Sequence, residues 1–85
     1  MDEKLGEIRN DIDAVDRKII RLLEGRVNLA KQTYKFKKEL GMPACDPKRE
    51  EKVMENVKSS TSMKPEFVES IYRLIIAYCK DEETK

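Results

Sequence analysis

The chain has 85 residues, of which 41% are Asp, Glu, Lys or Arg, yet the charges almost cancel at +1. That balance argues against nucleic acid as the main partner, because phosphate binding needs Lys and Arg in surplus on one face. No apolar run approaches the roughly 20 residues of a membrane span, and the acidic start Met-Asp-Glu-Lys does not read as a signal peptide, so no membrane association is expected.

Cys45 and Cys79 are the only cysteines, and in a Lys- and Glu-rich chain they read as reduced thiols of a cytoplasmic protein. With no His and no Cys-x-x-Cys pair, no zinc or other metal site is expected. Residues 1–85 make a single domain. A domain of this size buries only about 60% of its unfolded surface, so oligomerisation is the expected supplement to its core.

From Leu5 to Leu40 the apolar residues Leu5, Ile8, Ile12, Val15, Ile19, Leu22, Leu29, Phe36 and Leu40 follow spacings built from threes and fours. This is a heptad seam on a helix. Gly25 is the one breaker inside, and Gly41-Met42-Pro43 supplies the exit. A helix of about 36 residues is about 54 Å long, too long to be covered by the rest of so short a chain. It predicts packing against a second copy; a break at Gly25 into two antiparallel helices is the alternative.

Asp46-Pro47 predicts the start of a second helix, with a carboxylate cap and Pro in the first position. Its stripe is Glu50, Val53, Met54 and Val57, and it ends in Ser59-Ser60-Thr61-Ser62. A third helix starts near Lys64-Pro65-Glu66. Phe67, Ile71, Leu74 and Tyr78 form one line on it, beside Val68, Tyr72, Ile75 and Cys79. The expected fold is all-α: three helices per chain, the first very long, in an intertwined homodimeric bundle.

Charges interrupt this pattern in a few places. Continuing the seam past Leu22 puts Arg26 in a core position, where an unpaired cation is strongly unfavourable and calls for an anion. Lys37 follows eleven residues later, about 20° around the helix and about 16 Å along it, with the small residues Ala30 and Thr33 between. Two cations flanking a low floor make an anion pocket; the plainer alternative pairs Arg26 with an acid of a neighbouring helix and leaves Lys37 solvated. Glu50 sits on the apolar stripe of the second helix, with Asp46 on the same face and Arg49 beside them, which also fits acids favoured at a helix N-terminus. Glu83 extends the inner line of the third helix through Ile75, Ile76 and Cys79, or else lies solvated at its end. With no His and no nucleophile elbow, covalent hydrolysis is poorly supported; binding a small polyanion and steadying developing charge suits these residues better.

The runs Ile8-Arg9-Asn10-Asp11-Ile12-Asp13-Ala14-Val15-Asp16 and Leu22-Leu23-Glu24-Gly25-Arg26 resemble the first helix of the all-helical chorismate mutases. Lys37, Asp46-Pro47-Lys48-Arg49-Glu50 and Tyr72-Arg73-Leu74-Ile75-Ile76 match that family's later motifs in order and spacing, while the loop from Ser59 to Lys64 is shorter than in some members. The resemblance implies a dimer with two identical sites, each lined by both chains, that rearranges chorismate to prephenate without cofactor or metal. By that resemblance Arg26 binds one carboxylate of chorismate and Arg9 of the second chain the other. Lys37 donates to the ether oxygen, Arg49 assists near a carboxylate, and Glu50 with the Asp46 backbone holds the ring hydroxyl. Arg9 and Arg26 lie about 100° and about 25 Å apart on one helix, so two chains are needed to bring both to one ligand.

Two departures stand out. Cys79 stands where many members have a small hydroxyl residue, and a thiol is the poorer hydrogen-bond partner. Glu83 falls where the family uses Gln or Glu for a second contact to the ether oxygen, and a carboxyl donates there only when protonated, so the rate is expected to fall with rising pH. An isochorismate–pyruvate lyase of the same fold and a non-enzymatic helical dimerisation module are the alternative readings.

Overall fold

The computed structural model describes residues 2–85 and contains three α-helices: α1 (Asp2–Glu39), α2 (Pro47–Ser59) and α3 (Pro65–Glu83). α1 runs unbroken through Gly25, so the two-helix alternative is not realised. It also begins three residues before Leu5, because Asp2 and Glu3 suit a first turn just as Lys37 and Lys38 suit the last. Its exit is a Schellman turn on Gly41, whose φ is 72°. The Gly41 N–H donates to the Lys38 carbonyl at 3.2 Å and the Met42 N–H to the Lys37 carbonyl at 2.8 Å.

α2 starts as its sequence suggests: the Asp46 side chain accepts from the Arg49 N–H at 3.1 Å and Pro47 occupies the first turn. α3 also begins on a proline, Pro65, although the preceding Lys64 provides no side-chain cap. α3 is the hub. It packs against both α1 and α2, whereas α1 and α2 make no helix–helix contact among the described residues, and a cleft remains between them. An ion pair between Lys58 of α2 and Glu69 of α3, at 3.0 Å, ties the second interface, and Arg73 joins Glu69 from one turn on.

The shape is a rod, 60 × 26 × 16 Å, with a radius of gyration of 16.7 Å against about 12 Å for a compact chain of this length. Its core is correspondingly thin: only Val68 and Cys79 are buried among the described residues, and α1 buries none. The seam residues Leu5, Ile8, Ile12, Val15, Ile19 and Leu22 are all exposed, Leu22 by 74%. On one flank Ile20, Leu23 and Val27 of α1 meet Leu74, Ile75 and Tyr78 of α3 in a second, apolar groove. So much uncovered apolar surface is far from the pattern of a free-standing monomer.

Candidate active site

The cleft between α1 and α2 is floored by α3 and encloses about 310 Å³, at the lower end of the range for small-molecule sites. From α1 it takes Arg26, Ala30, Thr33 and Lys37, the face that the seam arithmetic placed together. Thr33 turns its hydroxyl back to the Leu29 carbonyl at 3.0 Å, which keeps the floor between the two cations low. From the start of α2 come Asp46, Arg49 and Glu50, and from α3 come Ile76, Cys79, Lys80 and Glu83. Lys37, Asp46, Glu50 and Glu83 are half-buried, while the Arg49 side chain is exposed.

Arg26 has no carboxylate partner among the described residues, so the plainer reading of that position finds no support within the chain. Its Nη1 instead donates to Cys79 Sγ at 3.3 Å, and its guanidinium carbon lies 5.9 Å from the centre of the Tyr72 ring. A thiol and an aromatic face orient a cation without neutralising it. The guanidinium therefore keeps most of its donors for an anion arriving from the cleft.

Glu50 is held differently. Its carboxylate pairs with Lys80 of α3 across the mouth of the cleft. The hydrogen bond that Lys80 donates to this carboxylate, and the carboxylate's charge, raise Lys80 above the ordinary lysine value.

Eight residues were expected at a site, and seven of them line this one cleft: Arg26, Lys37, Asp46, Arg49, Glu50, Cys79 and Glu83. Arg9 does not. It is exposed on the N-terminal half of α1, seventeen residues before Arg26 on the same continuous helix and well outside the cleft. Lys80 was missed by the sequence reading. It looks like one more solvated lysine in the charged run Lys80–Lys85, but Ile76, Lys80 and Glu83 fall at i, i+4 and i+7, one face of α3. Ile75, placed on the inner line by sequence, belongs instead to the apolar groove on the other flank.

Both cysteines are free thiols, Cys45 exposed and Cys79 buried. No group of three or more His, Cys, Asp or Glu suited to a metal ion occurs among the described residues, and none of the described helices is long and apolar enough to cross a membrane.

Comparison with known proteins agrees with the geometry. The chain matches the family described as chorismate mutase type II over residues 8–84. It is 43% identical over 58 residues to a chorismate mutase of Methanocaldococcus jannaschii, a match covering 68% of this chain and 59% of that protein. It is 34% identical to a bifunctional chorismate mutase/prephenate dehydratase of Aquifex aeolicus, across 98% of this chain and 25% of that protein. The chain thus matches less than two thirds of the length of either curated relative. Among solved structures, chorismate mutase form II of Thermus thermophilus superposes with a TM-score of 0.89 at 28% identity, covering 96% of both chains. With the family match spanning residues 8–84, the chain belongs to the chorismate mutase type II family.

Proposed function

We propose that this chain is a chorismate mutase that works as a cytoplasmic homodimer and converts chorismate to prephenate by a cofactor-free [3,3] rearrangement. One observation carries the reading: Arg26, oriented by Cys79 and Tyr72 but unneutralised, faces Lys37 across Ala30 and Thr33 in a cleft of substrate size. Chorismate is a compact dianion, and its rearrangement needs no nucleophile. It needs the reacting carbons held close in a chair-like pose and support for the negative charge that grows on the ether oxygen.

In this reading Arg26 binds one carboxylate, with Arg49 assisting at the rim. Lys37 and a protonated Glu83 donate to the ether oxygen, an interaction that strengthens as the C–O bond breaks and so favours the transition state over the ground state. Glu50 and the Asp46 backbone take the ring hydroxyl. The second carboxylate falls to the partner's Arg9. Support for the dimer comes from the exposed apolar seam of α1, which one chain leaves uncovered, and from the position of Arg9, stranded on that seam's own helix. The charged composition and the two free thiols support a cytoplasmic setting.

The test is to incubate the purified protein with chorismate and, separately, with isochorismate. Prephenate from the first is the expected product. Salicylate and pyruvate from the second, without prephenate from the first, would make the protein a lyase and reject the proposal.

A further inference from the structure

Among the described residues, Lys80 is the one cation of the cleft that is paired with a carboxylate. Its ammonium pairs with Glu50, its neighbours on the same face of α3 are Cys79 and Glu83, and the pair bridges α3 to the first turns of α2. The side chains keep partial solvent contact, 48% for Lys80 and 33% for Glu50, while the paired oxygen, Glu50 Oε1, is itself covered. The charge balance of the cleft gives the pair another use. With Glu83 donating as the neutral acid in the proposed function, Arg26, Lys37, Arg49 and Lys80 face the carboxylates of Asp46 and Glu50 there, four cations against two. Without Lys80 that surplus of two positive charges falls to one, a poorer match for a dianion.

We infer that Lys80 is a positioning residue for the mutase reaction: it fixes and neutralises Glu50, so that this carboxylate accepts the substrate hydroxyl without repelling the substrate carboxylates. The inference rests on the proposed function and goes beyond it, since Lys80 itself touches no reacting atom. The repulsion it suppresses acts equally on bound substrate and transition state. Its loss therefore appears in KM and leaves kcat largely untouched.

The experiment compares chorismate turnover and thermal unfolding of the wild type, Lys80→Arg, Lys80→Met, Glu50→Gln and Lys80→Met/Glu50→Gln. In Lys80→Met, KM rises about tenfold with kcat within about twofold, as expected for one unscreened charge a few ångströms from the ligand in a half-solvated site. Lys80→Arg stays within about twofold of wild type in both constants, because a cation remains in reach of Glu50. Removing the repelling charge as well, in the double variant, returns KM to the value of Glu50→Gln alone. An unchanged KM in Lys80→Met overturns the inference, as does a KM rise that survives in the double variant. A fall in Tm that tracks the KM change makes the pair structural and also overturns it. An active wild type with a flat Lys80 series rejects this inference alone, whereas a wild type that leaves chorismate untouched rejects it together with the proposed function.

Discussion

Arg26 Nη1 donates to Cys79 Sγ at 3.3 Å, so one of the two side chains buried among the described residues serves as the rest for the central cation of the cleft. The contact reaches from the middle of α1 to the last turns of α3, and it fixes the guanidinium without pairing it. A hydroxyl at residue 79 accepts such a bond better than a thiol does. Cys79→Ser is therefore expected to hold or raise kcat/KM, by up to about threefold, whereas Cys79→Val removes the acceptor at similar volume and lowers it about tenfold. Steady-state kinetics with chorismate decide the order; a Val variant as active as the Ser variant would show that the sulfur does not orient Arg26.

Arg26→Met separates an enzyme from a dimerisation module. The guanidinium has no acidic partner among the described residues, so a neutral side chain of similar length leaves no orphaned carboxylate there and the fold persists. Turnover falls by about a thousandfold, the scale of losing a charged hydrogen-bonding partner for a substrate carboxylate. Chorismate kinetics and sedimentation on the same sample check both halves, and substantial residual activity contradicts the assignment of Arg26.

Glu83 lines the cleft at the end of α3, where a carboxylate would oppose charge growing on the ether oxygen. Only the neutral carboxyl can donate there, whereas an amide always can. Glu83→Gln is therefore expected to raise kcat/KM, by up to about tenfold, in steady-state kinetics with chorismate. A Gln variant no faster than the wild type would remove Glu83 from the donor role.

Much of this architecture was legible in the sequence because it rests on local rules. A heptad seam with no proline inside it gives α1, Asp46-Pro47 and Pro65 set the starts of α2 and α3, and Gly41 ends α1 with a positive φ that glycine tolerates best. The face Arg26–Ala30–Thr33–Lys37 followed from helical arithmetic alone. What the sequence hid depends on how helices face one another. Nothing local reveals that Lys80 reaches across to Glu50, that Tyr72 lies beneath Arg26, or that Ile75 turns toward the apolar groove while its neighbour Ile76 turns into the cleft.

The α2–α3 interface titrates. Hydrogen bonds from Lys58 first, then Arg73, hold the Glu69 carboxyl below its ordinary value of 4.5. A carboxyl with a depressed value in the folded state adds stability at pH above about 4.5, and that addition disappears as pH falls through the lower folded value. Urea midpoints measured from pH 6 to pH 3 should decline, and in Glu69→Gln the part of the decline below pH 4.5 should shrink. Equal slopes for both proteins would show that the Lys58–Glu69 pair carries no pH-dependent stability.

The separation of Arg9 from the cleft gives the sharpest test of a shared site. Both arginines sit on one continuous helix, so neither bending nor a loop can bring them together within a chain. If each site takes Arg26 from one chain and the partner's Arg9 from the other, Arg9→Ala and Arg26→Ala homodimers are both inactive. A mixed dimer of the two is not. One of its sites lacks both arginines, while the other has the Arg26 of the Arg9→Ala chain and the Arg9 of the Arg26→Ala chain. Random reassembly of an equal mixture makes about half the dimers mixed, each with one intact site, so about a quarter of wild-type activity returns. Unfolding the two inactive proteins together in urea and refolding them as a mixture, beside each refolded alone, measures this directly. A mixture that stays as inactive as its components would show that Arg9 and Arg26 serve no common site.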